Sequence, residues 1–259
     1  MHIRMFNVLI ITIIALVAVV GTWKPIHAET LTVGAPPSLK AAFSDIVPLF
    51  EQEYGAKVHI DYTPSKTLLR QIENGAPIDV FLSAGMEEVE YLHKKGLTLN
   101  GPPRIFVQTS LVLMMSSDYP ATISLQDALH NRTIRIALGD PATSYLGDVT
   151  ARALKKLYPM YKSRSHIVYA PHTEDIVNLI RAGKADVGLV YRSNVINSRD
   201  VRISDDTPIG RDMPIQFGQA VVWTCRISLR PVADQFSDFL MTPRVQTLLM
   251  KYGFDSLNR

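Results

Sequence analysis

The feature that most constrains this chain is a repeated switch of period. Short runs of apolar, largely β-branched residues alternate with segments whose apolar residues recur every three or four positions. "ETLTVGAP" leads into Leu39, Ala42, Phe43, Ile46, Leu49 and Phe50 at helical spacing. "AKVHIDYT" leads into Leu68, Leu69 and Ile72, and "IDVFLSA" into Val89 and Leu92. After the apolar run "SLVLMMS" the pattern resumes with "SLQDALH", strand "TIRIALGD" and a helix expected to begin near Gly147. Strand "HIVYAP", helix "EDIVNLIRAG" and strand "ADVGLVYRS" follow. Apolar strands separated by amphipathic helices predict an α/β architecture, its sheets mainly parallel and covered on both faces. Pro48, inside the first helical pattern, predicts a kink or an early end there. Beyond a loop around "DDTPIGRDMP", the strand "GQAVVWTC" precedes a last helical stretch from Val232 to Phe254. No internal repeat or low-complexity tract interrupts the pattern.

Residues 1–28 stand apart. Arg4 supplies an early positive charge, Leu9 to Val20 form an almost unbroken apolar run, and "IHA" ending at Ala28 is a candidate cleavage site. This is the layout of a secretory signal peptide. The apolar run is short for a membrane span, which needs roughly 20 residues, so cleavage is expected, with a retained anchor as the alternative. Without Arg4 and Lys24 the chain carries 25 basic residues against 24 acidic ones. That balance removes any case for nucleic acid or an anionic membrane as partner. Cys225 is the sole cysteine, within the apolar run "AVVWTCRI", so no intrachain disulfide forms and burial is expected. His59, His93, His130, His166 and His172 show no metal-ligand spacing.

Four strand-to-helix junctions carry a hydroxyl: Ser38, Ser65, the "GDPATSYLGD" turn, and Thr173. Each one alone is a helix cap, since Ser and Thr are favoured there. Together they suggest a cleft, because helix starts present unpaired N–H groups and the positive end of the helix dipole to an anion.

The chain resembles the periplasmic molybdate-binding proteins of ABC transporters. "TLLRQIENGAPIDVFLSA" carries that resemblance best, with "APPSLKAAFSDI", "GDP" at 139–141, "ADVGLVYRS" and "MKYGF". The resemblance implies a two-lobed type II binding-protein fold joined by two crossover strands. Residues 29–111 would form lobe one, 112–217 lobe two, and 218–259 the return strand and helices completing lobe one. It implies an oxyanion, molybdate or tungstate, held by Ser38, Ser65, Leu146, Thr173 and Tyr191. It further implies no cofactor, a permease and its ATPase as partners, a monomer, and a periplasmic location. Aligning "ED" instead favours Ile176 over Thr173 as the fourth contact; Thr173 is preferred because it begins a helix and adds a hydroxyl.

The chain departs from the family pattern at Pro36, Pro37 and Pro64, which stiffen two loops. Lys66 is expected to point to solvent. "SYLGD" places bulk and Asp148 near the third loop, and Asp148 and Glu174 there would repel an anion. Such changes would either retune the site toward another oxyanion or an organic phosphonate, or weaken it. A secreted serine hydrolase using Ser38 or Ser65 is the enzyme alternative, weakened by the lack of a G-x-S-x-G elbow. A sensor domain of the same fold is a third reading, opposed by the export signal.

Overall fold

A computed structural model describes residues 29–163, 166–196, 198–205, 214–255 and 257. The signal segment, residues 1–28, and most of the loop around residues 206–213 lie outside the described residues. Ten strands form two five-stranded sheets. The first holds β1 (Thr30–Ala35), β2 (Lys57–Tyr62), β3 (Val80–Ser83), β4 (Thr98–Thr109) and β10 (Ile215–Val222) in the order β2-β1-β3-β10-β4. The second holds β5 (Leu111–Ser116), β6 (Ile136–Gly139), β7 (Ile167–Ala170), β8 (Val187–Tyr191) and β9 (Val201–Asp205) in the order β7-β6-β8-β5-β9.

Within the first sheet β10 alone runs against its neighbours, and β5 does the same within the second. The sheets are therefore mainly parallel. The chain changes sheets at Ser110, between β4 and β5, and again between β9 and β10. Leu111 pairs with Tyr191 in the second sheet, and Ile215 with Thr109 in the first.

Helices cover the sheets: α1 (Lys40–Tyr54), α2 (Ser65–Glu73), α3 (Met86–Lys94), α4 (Leu125–His130), α5 (Tyr145–Leu157), α6 (Thr173–Arg181), α7 (Arg230–Phe239) and α8 (Pro243–Lys251). The kink or early end expected at Pro48 is corrected in part: α1 continues past it to Tyr54. Its inner face buries Phe43, Ile46 and Phe50, and Phe50 packs edge-on against Phe236 of α7 at 5.0 Å between ring centroids. Full burial contributes roughly 1.5–3 kcal/mol per large side chain, enough to outweigh the ~3 kcal/mol that an interior proline costs. The last helical stretch is two helices, split where Thr242 caps α8 by accepting from the Val245 N–H.

Two strands are absent from the sequence reading, β4 and β9. In β4, Asn100 and Gly101 take positive φ, and the pairing with β10 slips register between Gln219 and Val221 opposite them. Pro102 and Pro103 fall in that irregular stretch of an edge strand, where a missing N–H costs no ladder bond.

Candidate ligand-binding site

The carboxyl ends of the parallel strands in the two sheets face one cleft, and the loops leaving them start helices. After β1 comes Pro36-Pro37-Ser38, a 3-10 turn leading into α1. After β2 comes Pro64, with Ser65 as the first residue of α2. After β6 the "GDPATS" turn leads to α5, and after β7 Pro171-His172 leads to α6, which begins at Thr173. The structure brings Ser38, Ser65, Leu146, Thr173 and Tyr191 to the wall of one cavity of about 40 Å³. At about 10–15 Å³ for each water-sized position, such a space suits one small polyatomic ion.

Its chemistry is one-sided. No Asp, Glu, Lys or Arg lines the cavity, and the first-turn N–H groups of a helix have no intrahelical acceptor. Prolines precede three of the four helix starts. Proline has no N–H and a fixed φ, so each holds the following amides in place without adding a competing donor. The Ser38 hydroxyl is buried without a partner. Ser65 is buried too, and its Oγ accepts from the Ala84 N–H at 3.0 Å, which leaves its proton free to donate. Tyr191 ends β8 beside the first crossover, where the Arg192 N–H donates to the Ser110 carbonyl at 2.9 Å. Its ring meets Phe217 of β10 edge-on at 5.8 Å. Burial, then the nearby Tyr145 and Glu88, pushes the Tyr191 phenol well above its ordinary range, so it stays a donor at any physiological pH.

The third loop differs from expectation. Helix α5 begins at Tyr145 rather than near Gly147, because Ser144 caps it by accepting from the Gly147 N–H at 3.0 Å. Leu146 therefore sits in the first helical turn with its amide free of intrahelical bonding. Asp140 shapes the turn upstream: its carboxylate accepts from the Ala142 N–H at 2.8 Å, and its carbonyl from the amides of Thr143 and Ser144. Gly147 lies so close to the Asp140 backbone that any side chain there would overlap it.

The two candidates for the fourth contact separate cleanly. Thr173 lines the cavity, whereas Ile176 is fully buried in the core and its amide is spent within α6 on the His172 carbonyl.

The charged residues near the site also find partners. Lys66 does not point to solvent: its ammonium donates to the Pro141 carbonyl at 3.0 Å and pairs with Asp148 at 3.5 Å, across the cleft. Asp148 is thereby neutralised outside the cavity, and Glu174 is exposed and lies outside the lining. Neither carboxylate lines the cavity, so neither touches the space where an anion would sit. Glu88, 5% exposed on the first turn of α3, accepts from the Ser83 hydroxyl at 3.1 Å. Burial raises its carboxyl to about 7.

Ala84, Ser144, Tyr145, Pro171 and His172 also line the cavity and were not named as contacts from the sequence. The His172 Nδ1 is buried without a partner. Their only sequence signal was adjacency to a helix start. Among the described residues no cluster of side chains has the makings of a cation site.

Residues 31–255 match the bacterial extracellular solute-binding proteins, and the chain belongs to that family. Within it, the molybdate-binding protein ModA of Escherichia coli K12 is 28% identical over 229 residues, covering 86% of this chain and 88% of its own length. Among solved structures, the periplasmic molybdate-binding protein of Azotobacter vinelandii superposes with a TM-score of 0.74 at 21% identity, over 87% of this chain and 98% of that one. The sulfate-binding protein SubI of Mycobacterium tuberculosis H37Rv superposes with a TM-score of 0.76 at 19% identity, over 89% and 88%. At those identities the structures bear on the fold, which is the two-lobed type II fold.

Proposed function

We propose that this protein captures molybdate or tungstate in the cleft and delivers it to the membrane permease and ATPase of an ABC transporter. One observation carries the reading: four helix starts, two serine hydroxyls and a tyrosine meet at a small cavity with no charged side chain in its wall. A fully ionised tetrahedral oxyanion accepts hydrogen bonds and donates none, so a wall of pure donors suits it, and a carboxylate would spoil it. Ser38, Ser65 and Tyr191 donate hydroxyls, and Leu146 and Thr173 donate backbone amides. The 28% identity to a molybdate-binding protein supports the choice of ion.

The protein acts by binding alone and needs no cofactor. The family of solute-binding proteins supports this reading, and the Ser65 Oγ is engaged by the Ala84 N–H. The two lobes meet across the cleft, the site lies between them, and the protein works as a periplasmic monomer.

Titration calorimetry with molybdate, tungstate, sulfate and phosphate tests this. Tight one-to-one binding of molybdate and tungstate, with sulfate and phosphate silent, is the expected result. A preference for sulfate or phosphate, or silence for all four ions, overturns it.

A further inference from the structure

We propose that Tyr145 is a specificity-determining bolt: carried by one lobe, it seats in a notch at Gly85 of the other and closes the cavity to anions larger than a bare tetrahedral oxyanion. The proposal rests on the oxyanion reading of the site and adds to it the residue that sets its size limit.

Gly85 lies between β3 and α3, and Tyr145 opens α5, so the two stand on opposite sides of the cleft. Gly85 has φ −144° and ψ 154°, an extended conformation open to any residue. Backbone geometry therefore gives no reason for glycine there. Room does: a Cβ added to Gly85 would overlap the Tyr145 ring carbons Cε2 and Cζ and lie 2.7 Å from Cδ2. The phenol ring thus sits against bare backbone. Tyr145 also lines the cavity with Ser65 and Ala84, so the seated ring is part of its wall. Burial pushes the phenol up to about 12, so the ring brings no negative charge to an anion site.

Two polar pairs hold the same seam shut. Lys66 of α2 reaches Pro141 and Asp148, and Arg152 of α5 pairs with Glu87 of α3 at 2.7 Å. Arg152 and Glu87 are each about half exposed, so that pair contributes little alone. The third contact is steric, since the Tyr145 ring would have to shift for any side chain at position 85.

Three proteins decide the matter: wild type, Gly85→Ala and Tyr145→Ala. Calorimetry uses molybdate and phenylphosphonate, and small-angle scattering follows closure. Wild type is expected to bind molybdate, refuse phenylphosphonate and contract on binding. Gly85→Ala should keep its thermal transition, bind molybdate roughly tenfold or more weakly as its closed fraction falls, and fail to contract. Tyr145→Ala should gain phenylphosphonate binding. Molybdate affinity and contraction unchanged in Gly85→Ala, or phenylphosphonate still refused by Tyr145→Ala, overturns the bolt. A wild type silent toward every oxyanion overturns the ligand reading alone. The scattering is then compared without ligand, where a larger radius of gyration for Gly85→Ala supports the bolt and equal radii overturn it.

Discussion

Replacing Glu88 by glutamine should flatten the dependence of stability on pH between about 4.5 and 7. The carboxyl is 5% exposed, and its Oε2 accepts from the Ser83 hydroxyl. Burial, aided by the neighbouring Glu87, raises it from 4.5 to about 7, against the opposing pull of a backbone N–H, Ser83 and Lys66. The folded chain thus keeps this proton until about pH 7, whereas the unfolded chain releases it near 4.5. Between those values the native state binds more protons, so its stability falls as pH rises through the window and levels off above it. A displacement of about 2.5 units at 1.36 kcal/mol per unit gives roughly 3 kcal/mol. Glutamine keeps the shape and sheds the charge. The stability of Glu88→Gln relative to wild type should therefore rise by about 3 kcal/mol from pH 4.5 to pH 8, or roughly 6–12 °C in melting temperature for a chain of this size. Urea denaturation of both proteins at the two pH values measures it. A difference that stays constant within about 0.5 kcal/mol would refute the reasoning.

Ser38→Ala should leave the urea midpoint nearly unchanged, since its hydroxyl has no partner, yet weaken molybdate binding roughly tenfold or more, a hydrogen bond to a charged group contributing about 1.5–3 kcal/mol; a matching loss of stability would sink the distinction. Ser65→Ala should lower both, because it also strands the Ala84 N–H, at about 1–3 kcal/mol for the orphaned donor. Tyr191→Phe retains the ring contact with Phe217, so calorimetry should register weaker binding while the melting temperature holds. Asp79 is 1% exposed and accepts from the Thr32 N–H and from Arg226. Arg226 is 45% exposed and still donates to the Thr30 carbonyl, so Asp79→Ala chiefly strands the Thr32 N–H and should cost about 1–3 kcal/mol in denaturant unfolding.

The interior of both sheets was legible because strands covered on two faces must be apolar along their length, as in "VFLS" and "VGLVY". The two strands that escaped notice, β4 and β9, are both edges. An edge tolerates Gly101, Pro102 and Pro103, and those residues mimic a loop. Ser38, Ser65 and Thr173 were findable because a helix start is written locally, by proline and hydroxyl. The start of α5 was misplaced because Ser144, and not a residue nearer Gly147, makes the cap. Nothing local distinguishes a lysine bound for solvent from one that reaches across a cleft to Pro141. Nor does periodicity record that a glycine in extended backbone leaves room for a distant ring. Those facts belong to the pairing of lobes, and they emerge only in three dimensions.

The late position of β10 has a kinetic consequence. This strand lies between β3 and β4, so the first sheet is split until residues 215–222 arrive, whereas β5 to β9 are contiguous in the chain. Contacts of long sequence separation close slowly, so the second sheet assembles first and the first sheet last. Pulse-labelled hydrogen exchange should find the amides of β6 and β8 protected before those of β3. The strand that arrives last also carries Phe217, against which the Tyr191 ring rests. The ring that backs Tyr191 is therefore in place only once β10 has docked.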